Sequence, residues 1–297
     1  MDSTSFKSGF VNLVGNPNVG KSTLMNAFLG TKLSITSPKV QTTRHRILGL
    51  LTENNYQIVF SDTPGIVKPK YELQRYMLNY AFSALEDADI LLYLTDIEDR
   101  DRYDQEFIDK LNQINTPKLL IINKIDIHSA EEIATAEQVW KKRFKDDVEI
   151  WKVSALTGEN INALKQRLLE LLPYNPPYFP EDELSDRTER FFISEIIREK
   201  IFFNYYQEIP YSTDVQIDAF EEKDNVIVIR ATIYAIRDSQ KNIIIGHKGS
   251  GIKKIGMEAR KDIEDFLDHR VFLDLHVKVR KNWRDDKNWL SRLGYTN

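Results

Sequence analysis

The sequence predicts an α/β fold with a mostly parallel sheet, followed by a smaller α+β domain. Three observations predict it. Short apolar runs alternate with helical patterns over the first 172 residues. Four polar strings each follow the end of one such run. A proline-rich stretch then separates this part from a segment with another element order.

Strands are expected near 10–14, 46–52, 56–61, 89–95, 118–122 and 148–152. Helical patterns lie at 21–29, 71–87, 102–113, 131–145 and 160–171. Glu53-Asn54-Asn55 suits a hairpin, giving one antiparallel pair at the second and third strands. Leu172 to Pro180 carries four prolines, which cannot continue a helix and favour an extended connection. The expected division is a nucleotide domain over 1–173, a linker over 174–185 and a second domain over 186–297. A length of 297 residues leaves room for about two domains.

Gly15-Asn16-Pro17-Asn18-Val19-Gly20-Lys21-Ser22, with Thr23 beside it, lies between an apolar run and a helical one. This is the G-x-x-x-x-G-K-S pattern of a phosphate-binding loop. Its backbone N–H groups curl towards phosphate oxygens, and the helix N-terminus adds partial positive charge. Lys21 can reach the β- and γ-phosphates, and the Ser22 hydroxyl can ligate Mg²⁺. Asp62-Thr63-Pro64-Gly65 follows Ile58-Val59-Phe60. Its carboxylate suits an outer-sphere partner of Mg²⁺, and the Gly65 N–H is placed to sense a γ-phosphate. Asn123-Lys124-Ile125-Asp126 follows Leu119–Ile122. Asp126 can accept hydrogen bonds from guanine N1–H and the 2-amino group. Adenine offers neither donor, so an adenine nucleotide would leave that carboxylate unpaired. Val153-Ser154-Ala155 follows Glu149-Ile150-Trp151, and its backbone can donate to guanine O6. Each string is weak alone. All of them, in order and at the carboxyl ends of strands where such sheets bind ligands, point to GTP.

Composition narrows the classes. With no cysteine, disulfides, thiolate metal sites and cysteine nucleophiles are excluded. His45, His128, His247, His269 and His276 show no metal-ligand spacing. Residues 1–8 hold no basic stretch leading into an apolar core, and no apolar run approaches membrane-spanning length. A net charge of −4 argues against a uniformly basic nucleic-acid binder.

The second segment reads α-β-β-α-α-β. A helical stripe (Phe192, Ile193, Ile196, Ile197, Ile201) precedes strand-like runs over Thr213–Phe220 and Val226–Ile236. Ile243-Ile244-Ile245-Gly246-His247-Lys248-Gly249 leads into a helix over Ile252–Leu267, and Val271–Val279 alternates as a last strand. Gly246–Gly249 is the G-x-x-G string of a KH module. Its glycines admit a sugar–phosphate chain, Lys248 neutralises phosphate, and the isoleucines up to Ile245 line a groove for single-stranded bases. Between Lys241 and Arg284 there are 11 Lys/Arg and 6 Asp/Glu, a local charge of +5 in an acidic chain. Lys253, Lys254, Lys278 and Arg280 are candidates for phosphate contact, although any of them alone also suits a solvated face. His247 is expected as an exposed loop residue with no catalytic role.

With both halves read, the chain resembles the Era-like family of bacterial GTPases over nearly its whole length. The resemblance rests on Gly15–Ser22, Gln41–Arg46, Asp62–Gly65, Asn123–Asp126, Val153–Ala155, Phe179–Asp182, Ser194–Lys200 and Gly246–Gly249. It implies a P-loop GTPase domain followed by a type II KH domain. It also implies Mg²⁺-dependent GTP hydrolysis and binding of single-stranded RNA near the 3′ end of small-subunit (16S) ribosomal RNA, in assembly of the 30S subunit. The family is cytoplasmic and is also found peripherally on the inner membrane face; a monomer is expected.

Gln41–His45 is expected as the first switch, with Thr42 or, by preference, Thr43 completing the Mg²⁺ shell beside Ser22 and Asp62. The second switch is expected from Asp62 to about Tyr76. Ile66 stands where regulatory GTPases carry the water-orienting Gln. No general base is assigned, and Arg44 and Arg46 are either charge stabilisers or packing residues. Asn18 is a candidate K⁺ ligand, as in related GTPases with Asn at this place, or a cap of its own loop. Two other functions stay open: a GTPase coupled to RNA modification, and a passive RNA-binding module that holds GTP structurally.

Overall fold

The structure is a computed structural model, and it describes residues 5–98, 103–144 and 148–296. These form two compact units, residues 5–70 with 74–186, and residues 71–73 with 187–296.

In the first unit the elements are β1 (Lys7–Gly15), α1 (Lys21–Leu29), β2 (Ile47–Glu53), β3 (Tyr56–Asp62), α2 (Glu72–Glu86), β4 (Ile90–Thr95), α3 (Gln105–Gln113), β5 (Lys118–Ile122), α4 (Ala130–Lys141), β6 (Glu149–Lys152) and α5 (Ile161–Leu171). The six strands make one sheet in the order β2-β3-β1-β4-β5-β6. Every pairing is parallel except β2 with β3, the expected hairpin. β4 and β5 are nearly all apolar because helices cover both faces of the sheet. Helix α4 ends at Lys141, short of the expected 145, which lies outside the described residues. There the chain turns and lays the Arg143 guanidinium 4.4 Å from the buried Trp140 ring. Residue 102, the expected start of α3, also lies outside them; the helix begins at Gln105, after an Asp104 side chain that accepts from Phe107 N.

The proline-rich stretch runs along the first unit. Gln57, fully buried, accepts from Tyr178 N (2.7 Å) and Phe179 N (3.0 Å) and donates to Phe179 O (2.8 Å). Farther on, Leu50 N donates to Leu184 O (3.0 Å), Leu48 N to an Asp186 carboxylate oxygen (3.2 Å) and Ser185 Oγ to Leu48 O (2.5 Å). The extended backbone that proline imposes leaves the groups of this stretch free to bond outward.

The second unit holds α6 (Glu189–Asn204), β7 (Asp214–Lys223), β8 (Val226–Ala235), α7 (Asp238–Ile245), α8 (Ser250–Leu267), β9 (Val271–Val279) and α9 (Lys287–Arg292). Its sheet is β7-β8-β9, antiparallel between β7 and β8 and parallel between β8 and β9. Helices α6 and α8 pack on one face through Ile193, Ile197, Ile201, Ile255, Ala259 and Ile263. Within α6, the Glu195 carboxylate pairs with the Arg198 guanidinium, both almost wholly buried. Burial alone would lower the Arg198 pKa, but the facing Glu195 charge raises it overall. Glu195→Ala would leave that cation buried without its carboxylate. We expect a loss of about 3–5 kcal/mol, read by urea unfolding of the full chain. An unchanged midpoint would show the pair to be dispensable.

Candidate functional site

The phosphate loop leaves β1 at Gly15 and enters α1 at Lys21. Lys21 is buried, and its ammonium donates to Gly15 O (3.0 Å) and Asn16 O (2.7 Å), closed on its own loop. Asn123, at the end of β5, joins this loop to the base-reading strings. Its amide donates to Val19 O (2.9 Å), and its Oδ1 accepts from Ala155 N (2.9 Å). The approach requires glycine at 20, because a Cβ there would lie 2.2 Å from Asn123 Nδ2. Asp126 is exposed on a short turn after β5, while Ser154 and Ala155 are buried. Four strings that are far apart in sequence thus meet at the carboxyl ends of β1, β3, β5 and β6, as such sheets dictate.

Ser22, Thr43 and Asp62 also meet. Ser22 Oγ lies 2.8 Å from Thr43 Oγ1 and donates to Asp62 Oδ2 at 2.6 Å; Thr43 Oγ1 donates to the same oxygen at 3.3 Å. Thr42 turns elsewhere, with its hydroxyl 2.6 Å from Ser37 Oγ and 2.7 Å from Lys39 O. Burial pushes the Asp62 carboxyl up, against the Ser22 hydrogen bond and the Lys21 charge. Asp62 Oδ1 is buried with no hydrogen-bond partner among the described residues. Hydroxyl and carboxylate oxygens around a buried, under-satisfied carboxylate fit Mg²⁺, a hard cation that keeps several waters. Among the described residues no cluster of three His, Cys, Asp or Glu offers another metal site.

Three expectations are refined here. Ile66 is a packing residue. It is 6 % exposed and lies in the apolar cluster with Val14, Leu91 and Tyr93, and its N–H donates to Gly15 O (3.3 Å). Arg46 is held by Ser61 (2.7 Å) and by both oxygens of Asp87 (2.7 and 2.9 Å), and Arg44 is fully buried. The Asn18 amide donates to Pro38 O at 2.9 Å, so it bonds to the segment before Gln41 rather than to its own loop.

Asp96 escaped the sequence reading. It follows β4, is buried, and pairs with Lys124 Nζ at 2.6 Å. The signal was present, since a carboxylate at the carboxyl end of another central strand belongs at a ligand crevice. Both residues line an open cleft of about 540 Å³ beside Asn16, Pro17 and Asn18.

In the second unit, Gly246–Gly249 forms a tight turn between α7 and α8. Gly246 (φ 72°), Lys248 (φ 50°) and Gly249 (φ 81°) all have left-handed φ values. No atom lies within 4 Å of a Cβ built on Gly249, so that side of the loop is open to a ligand. Tyr205 OH donates to Ile244 O (2.8 Å) and braces the end of α7. The three isoleucines before the loop do not share a groove. They lie on a helix at 100° per residue, so Ile244 is fully buried while Ile243 is 51 % exposed and Ile245 half-buried. His247, Lys248, Lys253, Lys254 and Lys278 are exposed. Arg280 is engaged by Asp286 (3.0 Å) and lies over the Trp289 ring (4.5 Å).

The fold and the two sites define a P-loop GTPase carrying a KH domain. A family model described as "50S ribosome-binding GTPase" matches residues 10–124, and one described as "KH domain" matches 208–284. GTPase Era of Thermosipho melanesiensis is 47 % identical over 281 residues, 94 % of each chain. GTPase Era of Geobacter metallireducens is 45 % identical over 299 residues, the full length of both. The structure of a single-residue variant of Aquifex aeolicus Era bound to GDP·AlF4⁻ superposes with a TM-score of 0.93 at 40 % identity, covering 98 % of this chain and 100 % of that one. A structure of Era with MgGDPNP and nucleotides 1506–1542 of 16S ribosomal RNA gives 0.92 at 39 % identity, with the same coverage. The chain belongs to the Era family of GTPases. No helix among the described residues is long and apolar enough to cross a membrane.

Proposed function

We propose that this chain is a monomeric, cytoplasmic GTP-driven switch that binds the 3′ region of 16S ribosomal RNA and assists assembly of the 30S subunit. The observation that carries the reading is the pairing, in one chain, of a GTP cleft tied together by Asn123 with an open, glycine-bounded KH loop. The full-length likeness to a relative bound to MgGDPNP and to that RNA supports it. In this reading 1–173 is the GTPase domain, 174–185 connects, and 186–297 binds RNA.

Residues 15–23 hold the phosphates, Gln41–Thr43 and Asp62–Gly65 respond to the γ-phosphate, and Asn123, Lys124, Asp126, Ser154 and Ala155 hold guanine. Lys21 leaves its loop carbonyls for the β- and γ-phosphates, where its charge stabilises the transition state. Ser22 and Thr43 would hold Mg²⁺, with Asp62 as an outer-sphere partner, and the ion would neutralise charge developing on the phosphates. Ile66 has no group to orient water and is buried, so its side chain takes no part in hydrolysis. Residues 245–249 with Lys253, Lys254 and Lys278 meet the RNA, and Arg280 joins them once released from Asp286. The test measures GTP turnover together with binding of an RNA of nucleotides 1506–1542. Turnover without RNA binding, or the reverse, would reject the switch.

Asn18 Oδ1 is proposed as a K⁺ ligand beside the phosphates. Its amide nitrogen is fixed on Pro38 O, which orients the side chain. We expect GTP hydrolysis to be faster in K⁺ than in Na⁺ at equal ionic strength, and Asn18→Ala to lose that preference. Equal rates in both salts would leave Asn18 as a tether of the first switch.

A further inference from the structure

We infer that Asp96 is a positioning residue of the guanine site and acts through Lys124; the inference rests on the GTP reading above. Asp96 stands immediately after β4, with its side chain 5 % exposed. It lines the same cleft as the phosphate loop, where a polyanion is to bind. A carboxylate there repels phosphate unless its charge is matched. Lys124 matches it, with Nζ 2.6 Å from Asp96 Oδ2.

The pair does more than cancel charge. A lysine has a long, freely rotating stem, and its ammonium would otherwise swing into solvent or towards the phosphates. Lys124 is one-third exposed and has a left-handed backbone (φ 63°), so neither burial nor a relaxed chain fixes its side chain. Asp96 fixes it from outside. With the ammonium pinned, the methylene stem becomes a fixed apolar wall of the cleft. Asp126, two residues on, presents its carboxylate to the guanine edge, and the ring held by Asp126 lies against that wall. Asp96 therefore sets affinity for the base, which GDP and GTP share. It leaves hydrolysis alone.

The test titrates the full-length protein with fluorescent GDP, GTP and inosine nucleotides in Mg²⁺. Asp96→Asn, Lys124→Ala and the double variant are compared. Asp96→Asn preserves shape and removes charge. It is expected to weaken all of these nucleotides alike, by about tenfold, with kcat unchanged. In the Lys124→Ala background it is expected to cause no further loss, because removing the then unmatched carboxylate relieves its repulsion of the phosphates. An undiminished affinity, a loss confined to GTP, or additive losses in the double variant would each overturn the inference. Should Asp96→Asn not fold, Lys124→Met breaks the pair from the other side, and unchanged GDP affinity there would overturn it equally. Failure of the wild type to bind guanine nucleotides would instead reject the GTP reading itself.

Discussion

Asp126→Asn is expected to lower affinity for GTP by about a thousandfold or more and to admit xanthosine triphosphate. The carboxylate accepts from both guanine N1–H and the 2-amino group. An amide replaces one acceptor by a donor, so it faces the 2-amino group donor to donor. Xanthine carries a carbonyl oxygen there and restores the match. The effect is large because the mismatched groups lose water without gaining a partner. Asp126 is exposed on a short turn, so the change leaves the core intact. Competition of GTP and XTP for the variant, read as two dissociation constants, checks it. Retention of the wild-type preference for GTP would remove Asp126 from base recognition.

The second large effect is on RNA. Gly249→Asp should reduce binding of the 1506–1542 RNA by at least about tenfold, or about 1.4 kcal/mol, with GTP affinity unchanged. Gly249 suits this test better than Gly246. A Cβ on Gly246 would lie 2.7 Å from Gly251 N, whereas at Gly249 there is open space. The φ of 81° at Gly249 remains, but Asp and Asn tolerate left-handed backbone better than other side chains. Gly249→Asn then separates shape from charge: it should bind better than the Asp variant and worse than wild type. Wild-type binding should also weaken as salt rises, since phosphate contacts release counterions. RNA affinity unaltered in a folded Gly249→Asp protein would take the loop out of the interface.

Both experiments rest on residues that local pattern makes readable. The phosphate loop, Asp62–Gly65 and Asn123–Asp126 are short strings, and a parallel sheet places the ends of its apolar strands together whatever their distance in sequence. The KH element order is legible for the same reason, because β9 alternates cleanly and α6 keeps a helical stripe. Contacts decided by tertiary packing were not legible. Nothing near Gln57 in sequence announces that it will bond to Tyr178 and Phe179. Ile66 reads as a missing glutamine until the cluster around Val14 and Tyr93 shows what it packs against. Arg280 reads as a free cation until Asp286 and Trp289 are brought under it. The three isoleucines before Gly246 read as one apolar surface, because a run of three is too short to show the helical phase that buries Ile244 and exposes Ile243.

The bonds from Leu184, Ser185 and Asp186 to β2 have a consequence for the solubility of the first unit. β2 is the outermost strand of its sheet, and the backbone amides of Leu48 and Leu50 face away from β3's ladder. Bare amides in such a row are a template for intermolecular strand addition and hence for aggregation. Here the chain's own downstream residues occupy them. A fragment ended at Pro173, just past the end of α5, would reopen the row. One extended to Asp186 would carry its own gatekeeper.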